Sequence, residues 1–189
     1  MADGDAARWD AKYEGRPLPV VEPTAALQRV IRWLPARGGA LDVAGGDGAQ
    51  AVWMAQRGLD VALCDVSAVA LRRAQALATR AGVDLQTHRL DLETDPLPAG
   101  RRAVVSCSNY LQPSLWPNAF ERLEAGGVAI WIHPTITNLE RNAKPSRRWL
   151  LEPGQGRRIF EEAGLMVVHA EESWVGARHL CVLVGRRDG

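Results

Sequence analysis

ALDVAGGDGAQAVWMAQRGLDVALCDVS, residues 40 to 67, decides the fold of this chain. Ala40 to Ala44 is a short apolar run, broken by Gly45, Gly46 and Gly48. Gln50 to Gln56 has helical character, and Leu59 to Cys64 is apolar again up to Asp65. Strand, glycine turn, helix and strand in that order make one half of a nucleotide-binding α/β sheet. Glycine lacks a β-carbon, so the backbone can approach a ligand closely, and the helix starting near Ala49 aims its free amides at the same spot. Asp65 follows Gly46 by 19 positions, where a second strand would end beside the first and a carboxylate can accept both hydroxyls of a ribose. An adenosine-bearing ligand is the inference.

Outward from this unit the chain alternates helix and strand. Pro23 to Leu34 reads as a helix with Ala26, Leu27, Val30, Ile31 and Leu34 on one face. Ser67 caps a helix carrying Val69, Leu71, Ala74, Leu77 and Ala78 that stops at Gly82. Strands are expected at Leu85 to Asp91, Ala103 to Ser108 and Val128 to His133, with a helix near Pro117 to Leu123. A long loop runs from Pro134 to Pro153, and helix returns at Gln155 to Ala163. Two strand-like runs, Leu165 to Trp174 and His179 to Arg186, have only a turn between them and must pair antiparallel. The expected fold is a doubly wound α/β sheet of seven strands, mostly parallel, ending in an antiparallel hairpin. One domain, 1–189, suits this length. Within it, 1–35 would supply N-terminal lid helices and 134–153 a loop around a substrate.

Composition narrows the function. Lys plus Arg number 23 against 22 Asp plus Glu, a balance that disfavours a nucleic-acid partner; a local basic patch around Arg147, Arg148, Arg157 and Arg158 stays open. Cys64, Cys107 and Cys181 each lie in a strand-like apolar run without metal-ligand spacing, so free buried thiols and no metal are expected. The polar N-terminus MADGDAARWD is not a signal peptide, and no apolar run is long enough for a membrane span. A cytoplasmic protein without a membrane partner is the expectation; oligomeric state is not readable.

The identity of the adenosine ligand turns on what precedes the glycines. GDGAQA from Gly46 fits a relaxed dinucleotide fingerprint, with Ala51 in the third glycine position. The preceding strand, however, ends in Asp42, giving acid, x, Ala44, x, Gly46, x, Gly48. This order resembles the first motif of class I S-adenosylmethionine-dependent methyltransferases. A buried carboxylate there would repel a pyrophosphate but attract the cationic amino group of a methionine moiety, directly or through water. From about Trp9 to Val184 the chain is similar to small bacterial members of the group that includes the tellurite-resistance, thiol and thiopurine methyltransferases.

The resemblance implies S-adenosyl-L-methionine as cofactor, with S-adenosyl-L-homocysteine as product, and a Rossmann-like methyltransferase fold. RWDAKYEGRPLP, residues 8–19, resembles a Trp-Asp-x-x-Tyr segment that folds over the cofactor, so Trp9 and Tyr13 would shield the sulfonium; pinning an amphipathic helix to the core is the other reading. By the same resemblance Asp42, Ala44, Gly45, Gly46 and Gly48 form the cofactor turn, Asp65 binds the ribose, and Val66 packs on the adenine. Asp91 with the Leu92 amide would read the adenine amino group, unless Asp91 simply caps its loop. Asn109 would meet the methionine portion with its backbone and face the acceptor with its side chain. HPTITNLERNAKPSRRWLLEPG, residues 133–154, resembles an acceptor-side loop, with Gln155 where a glutamate is usual.

Methyl transfer from a sulfonium requires alignment and exclusion of water more than side-chain chemistry. A thiolate, an amine or a metalloid oxyanion needs little more, whereas a hydroxyl needs a base. Tyr110 and His133 are the candidate catalytic residues; a hydrogen-bonded structural histidine is the competing reading of His133. Trp116 and Trp149 lie on loops that would surround the acceptor, as a stacking platform or as anchors. The tetrapeptide Ser108-Asn109-Tyr110-Leu111 lacks the prolines of the base-amino methyltransferase box. A small-molecule acceptor is the leading expectation. An RNA or protein methyltransferase, and an NAD-dependent oxidoreductase or noncatalytic nucleotide-binding module, are the alternatives.

Overall fold

The computed structural model describes residues 2–189. Its core is a seven-stranded sheet in the order β3-β2-β1-β4-β5-β7-β6. β1 (Gly38–Val43), β2 (Leu59–Asp65), β3 (Gln86–Arg89), β4 (Arg102–Ser108) and β5 (Leu123–Pro134) run parallel. β6 (Met166–Val175) and β7 (Arg178–Arg186) form the hairpin, with β7 inserted antiparallel between β5 and β6. Gly176, at φ +60, makes the two-residue turn between them. The sequence-based fold class and the antiparallel finish agree with this topology.

The inner strands β1, β2, β4, β5 and β7 are mostly apolar because both faces are covered, whereas the edge strands β3 and β6 are more polar and partly exposed. Alternate residues serve opposite layers: Val61 and Leu63 of β2 face one core, Ala62 and Cys64 the other. The first layer is closed by α3 (Ala49–Gln56) and α4 (Ala68–Ala81), the second by α5 (Trp116–Glu121) and α6 (Gln155–Glu162). α4 has the ends its sequence promises. The Ser67 hydroxyl accepts from Ala70 N at the N-cap, and Gly82 at φ +67 ends the helix, with Val83 N donating back to Ala78 O.

Two segments depart from the sequence reading. Pro23 to Leu34 is not one helix: α2 spans only Ala25–Gln28, and a 3-10 turn at Ile31–Trp33 follows. Leu34, before Pro35, is extended, as the proline ring requires, while Ala26, Leu27 and Val30 still reach the core. The 134–153 segment is ordered by two 3-10 turns, Ile136–Glu140 and Arg147–Trp149, and by a bridge between Thr135 and Leu151. Buried Asn138 holds it together. Its Nδ2 donates to Lys144 O, and its Oδ1 accepts from His179 N and Asn142 Nδ2.

α1 (Ala2–Tyr13) lies against α4, ahead of a chain segment strapped along the same helix. Arg73 donates to the carbonyls of Arg16 and Pro17 and pairs with Asp47, and Arg80 donates to Pro19 O.

Candidate functional site

The parallel strands end on one edge, and the register brings their C-terminal residues level: Val43 beside Cys64 and Cys107, Asp65 beside Arg89, Ser108 beside Ile132. The sequence-predicted residues follow these ends in sheet order: Asp91 after β3, Asp65 and Val66 at β2, the glycine turn after β1, Asn109 and Tyr110 after β4, His133 near the end of β5. The order of strands reverses between β1 and β4, the position at which open α/β sheets leave a ligand crevice.

The turn Ala44 to Gly48 is built for close approach. Ala44 (φ 53), Gly46 (φ 57) and Gly48 (φ 82) all lie in the left-handed region, which an alanine enters only at a cost of about 1–2 kcal/mol. A β-carbon at Gly46 would overlap the Tyr13 hydroxyl, so the phenol lies directly on the turn. Trp9 stacks beside Tyr13 at 6.2 Å, and the Lys12 ammonium covers the Trp9 ring at 4.0 Å. The helix bearing the Trp-Asp-x-x-Tyr segment thus covers the crevice.

Asp42 is 2% exposed. Its Oδ1 accepts from Ser106 Oγ at 2.6 Å and Gln50 Nε2 at 3.1 Å, while Oδ2 has no partner. A β-carbon on Gly45 would come within 2.7 Å of that free oxygen, which places it immediately under the turn. Burial pushes the acid up to about 7, against the opposing hydrogen bonds of Ser106 and Gln50. An unpartnered buried carboxylate oxygen under a glycine turn suits a cationic group and not a phosphate. Gln50 also accepts from Ser108 Oγ at 3.1 Å, linking Asp42 to the end of β4.

Asp65, 8% exposed, accepts Gly46 N on Oδ2 and Ser67 N on Oδ1, each at 2.9 Å. Burial raises this acid, and the amide hydrogen bonds oppose the shift. Each oxygen keeps a second lone pair for a ligand hydroxyl. Val66 is half-buried beside it, and Leu92 is buried. Asp91 Oδ1 accepts Glu93 N at 3.0 Å, so Asp91 does cap its own loop, with the other oxygen uncommitted there. Asn109 is exposed, has φ 63, and donates its amide to Ile132 O.

At the end of β5, His133 is 3% exposed. Its Nε2 lies 3.0 Å from Trp149 O, so it carries the proton, leaving Nδ1 as a bare acceptor without a partner. Burial pulls the imidazole down to about 4. Tyr110 donates to Gln112 Oε1, and burial raises its phenol far above the ordinary value. Trp116 is not a loop platform: at 1% exposure it packs on Phe120 and Trp131, with ring centroids 5.6 and 4.3 Å away. Trp149 is 41% exposed, with Arg148 over its ring. Arg147 pairs with Glu152 in solvent. Among the described residues no cluster of His, Cys, Asp and Glu is arranged to hold a metal, and no helix is long and apolar enough to cross a membrane.

Sequence reasoning passed over Gln50, Ser106 and Ser108, which share the Asp42 network, and gave no role to Asp10, the acid of the Trp-Asp-x-x-Tyr segment, whose partners are Ser67 and Val69 at the start of α4. Asp10 had a local signal, since it stands three residues before Tyr13 on the same helical face. The Asp42 network had none.

A family model described as a methyltransferase domain matches residues 40–126, which hold the glycine turn, Asp42, Asp65, Asp91 and Asn109. No curated protein sequence matches the chain. Solved structures superpose closely. One reported for conversion of a disulfide bond into a thioacetal group during echinomycin biosynthesis has TM-score 0.76 at 19% identity, over 97% of this chain and 91% of its own. An S-adenosylmethionine-dependent methyltransferase from Mesorhizobium loti has TM-score 0.68 at 19% identity, over 86% and 98%. Magnesium protoporphyrin IX methyltransferase from Synechocystis, with bound S-adenosylhomocysteine, has TM-score 0.66 at 16% identity, over 99% and 81%. At these identities the superpositions speak for the fold, which is that of S-adenosylmethionine-dependent methyltransferases, and residues 40–126 are similar to the methyltransferase-domain family.

Proposed function

We propose that the chain is a class I S-adenosylmethionine-dependent methyltransferase, with S-adenosylmethionine as its cofactor, and that it methylates a small acceptor that needs no base from the protein: a thiolate, an amine or a metalloid oxyanion. The observation that carries this reading is His133. Pinned by Trp149 O and pulled down to about 4, it can accept a hydrogen bond on Nδ1 but is a poor proton acceptor at neutral pH. Tyr110, with its phenol raised and its proton committed to Gln112, is no better. A hydroxyl acceptor would find no base in either. The cofactor supplies an electrophilic methyl group on a sulfonium leaving group, so the chain need only bind, align and keep water out.

In this reading Asp65 accepts from the ribose hydroxyls and Asp42 faces the amino group of the methionine moiety. Val66, Asp91 and the Leu92 amide surround the adenine. Asn109 lies between cofactor and acceptor, Trp9 and Tyr13 exclude water from above, and the 134–153 loop with exposed Trp149 frames the acceptor. Cys64, Cys107 and Cys181 are buried and free, their thiols raised by desolvation, which suits inert core positions and supports a cytoplasmic enzyme.

Supplying the protein with S-adenosylmethionine and a thiol, an amine, a metalloid oxyanion or a phenol, and following release of S-adenosylhomocysteine, tests the acceptor class. Turnover on one of the first three is expected. Turnover on the phenol alone, abolished by His133→Ala, would overturn it.

The Asp42 assignment predicts a pH dependence. Its acid is raised from 3.8 to about 7, so below that pH the empty site is mainly neutral. A cationic amino group favours the ionised form, so binding expels a proton and affinity weakens as the pH falls. The dissociation constant of S-adenosylhomocysteine should rise about tenfold from about pH 8 to about pH 6, one unit below the acid's midpoint. Asp42→Asn should flatten the profile. A flat wild-type profile would remove Asp42 from the ammonium site.

A further inference from the structure

We propose that Asp10 is a positioning residue that fastens α1 over the bound cofactor, through Ser67, and so sets how long the cofactor stays. The proposal rests on the assignment of the crevice to S-adenosylmethionine. Asp10 Oδ1 accepts from Ser67 Oγ at 2.6 Å and from Val69 N at 3.0 Å. Among the described residues these are the hydrogen bonds that tie α1 to the rest of the chain; the remaining polar contacts of that helix are internal or lie in the strap that follows it. They span 57 and 59 residues of sequence, so they fix one element on another and are not local turn chemistry.

Ser67 connects that fastening to the ligand side. It is fully buried. Its amide donates to Asp65 Oδ1, and its hydroxyl accepts from Ala70 N while donating to Asp10. Asp65 in turn receives Gly46 N, and the Tyr13 hydroxyl, one helical turn after Asp10, rests on Gly46. The contacts close a ring: Asp10, Ser67, Asp65, Gly46, Tyr13 and back along α1. A ligand beneath Tyr13 cannot leave upward without α1 lifting, and lifting α1 breaks the two Asp10 hydrogen bonds. Breaking them also frees the Ser67 hydroxyl beside the acid that orients the ribose.

Release and binding of S-adenosylhomocysteine by wild type, Asp10→Ala and Asp10→Asn test this, by stopped flow and calorimetry. Asp10→Ala should raise the release rate and the dissociation constant about tenfold, the loss of charge-assisted hydrogen bonds. It should raise KM for S-adenosylmethionine by a similar factor while kcat at saturation stays within about threefold. Asp10→Asn keeps an oxygen that can accept from both Ser67 and Val69, and should restore release to within about threefold of wild type. Trypsin cleavage at Arg8 and Lys12, slowed by S-adenosylhomocysteine in the wild type, should lose that protection in Asp10→Ala and regain it in Asp10→Asn. Unchanged release and protection with only a lower Tm would overturn the proposal and leave Asp10 a helix cap. Failure of the wild type to bind S-adenosylhomocysteine would instead overturn the cofactor assignment beneath it.

Discussion

Asp65→Ala is expected to raise the dissociation constant for S-adenosylhomocysteine by about 100-fold. Each hydrogen bond from a ribose hydroxyl to an ionised acceptor is worth about 1.5–3 kcal/mol, and two at the low end give about that factor. The substitution also strips Gly46 N and Ser67 N of the acceptor they share, so the turn loosens and the loss will not fall below the two-bond figure. Asp65→Asn separates the two contributions. It keeps one acceptor oxygen but brings a donor against an amide, so it should fall between wild type and alanine. Calorimetric titration below the melting range of each variant reads the effect. Affinity within threefold of wild type would remove Asp65 from the ribose site.

Gly48→Ala should be strongly destabilising. Gly48 has φ 82, where an alanine costs about 1–2 kcal/mol. Its β-carbon would stand 2.6 Å from Ala74 Cβ and 3.1 Å from Ala74 Cα, so α4 must be pushed off the turn, at about 1–3 kcal/mol more. A total near 3 kcal/mol lowers Tm by about 6–12 °C in a chain of this size. Gly82→Ala is the control. It has the same left-handed backbone, φ +67, but a β-carbon there meets nothing within 4 Å, so only the strain remains, about 1.5 kcal/mol or about 3–6 °C. Equal losses at the two positions would mean that packing of α4 on the turn is not what requires a glycine at Gly48.

The parts of the fold legible in the sequence are those in which local chemistry and burial agree. Ser67 and Gly82 delimit α4 as their side-chain oxygen and missing β-carbon dictate, and the short gap between the last two apolar runs allows only a hairpin. The apolar β1 and β2 followed by glycines and an acid gave the crevice its position. Where tertiary contacts decide, the sequence was mute or misleading. The apolar spacing of Ala26, Leu27 and Val30 suits a continuous helix, yet Pro35 and burial against the sheet leave one α-helical turn and a 3-10 turn. Trp116 looks like a loop residue beside Asn109, but it opens α5 and fills the space between Trp131 and Phe120. The partners of Asp10 and Asp42 come from other elements, at separations no local pattern encodes. His133 stands at the expected strand end, but its fixed tautomer follows from Trp149 O, 16 residues away, and its lowered basicity from burial under the 134–153 segment and the sheet.

The central claim is that Asp42, the glycine turn and Asp65 make a site for S-adenosylmethionine and not for a dinucleotide. Calorimetric titration of the purified protein with S-adenosylhomocysteine and, separately, with NAD tests it most directly. Saturable one-site binding of S-adenosylhomocysteine with no heat from NAD is the predicted result; NAD binding without S-adenosylhomocysteine binding would contradict it.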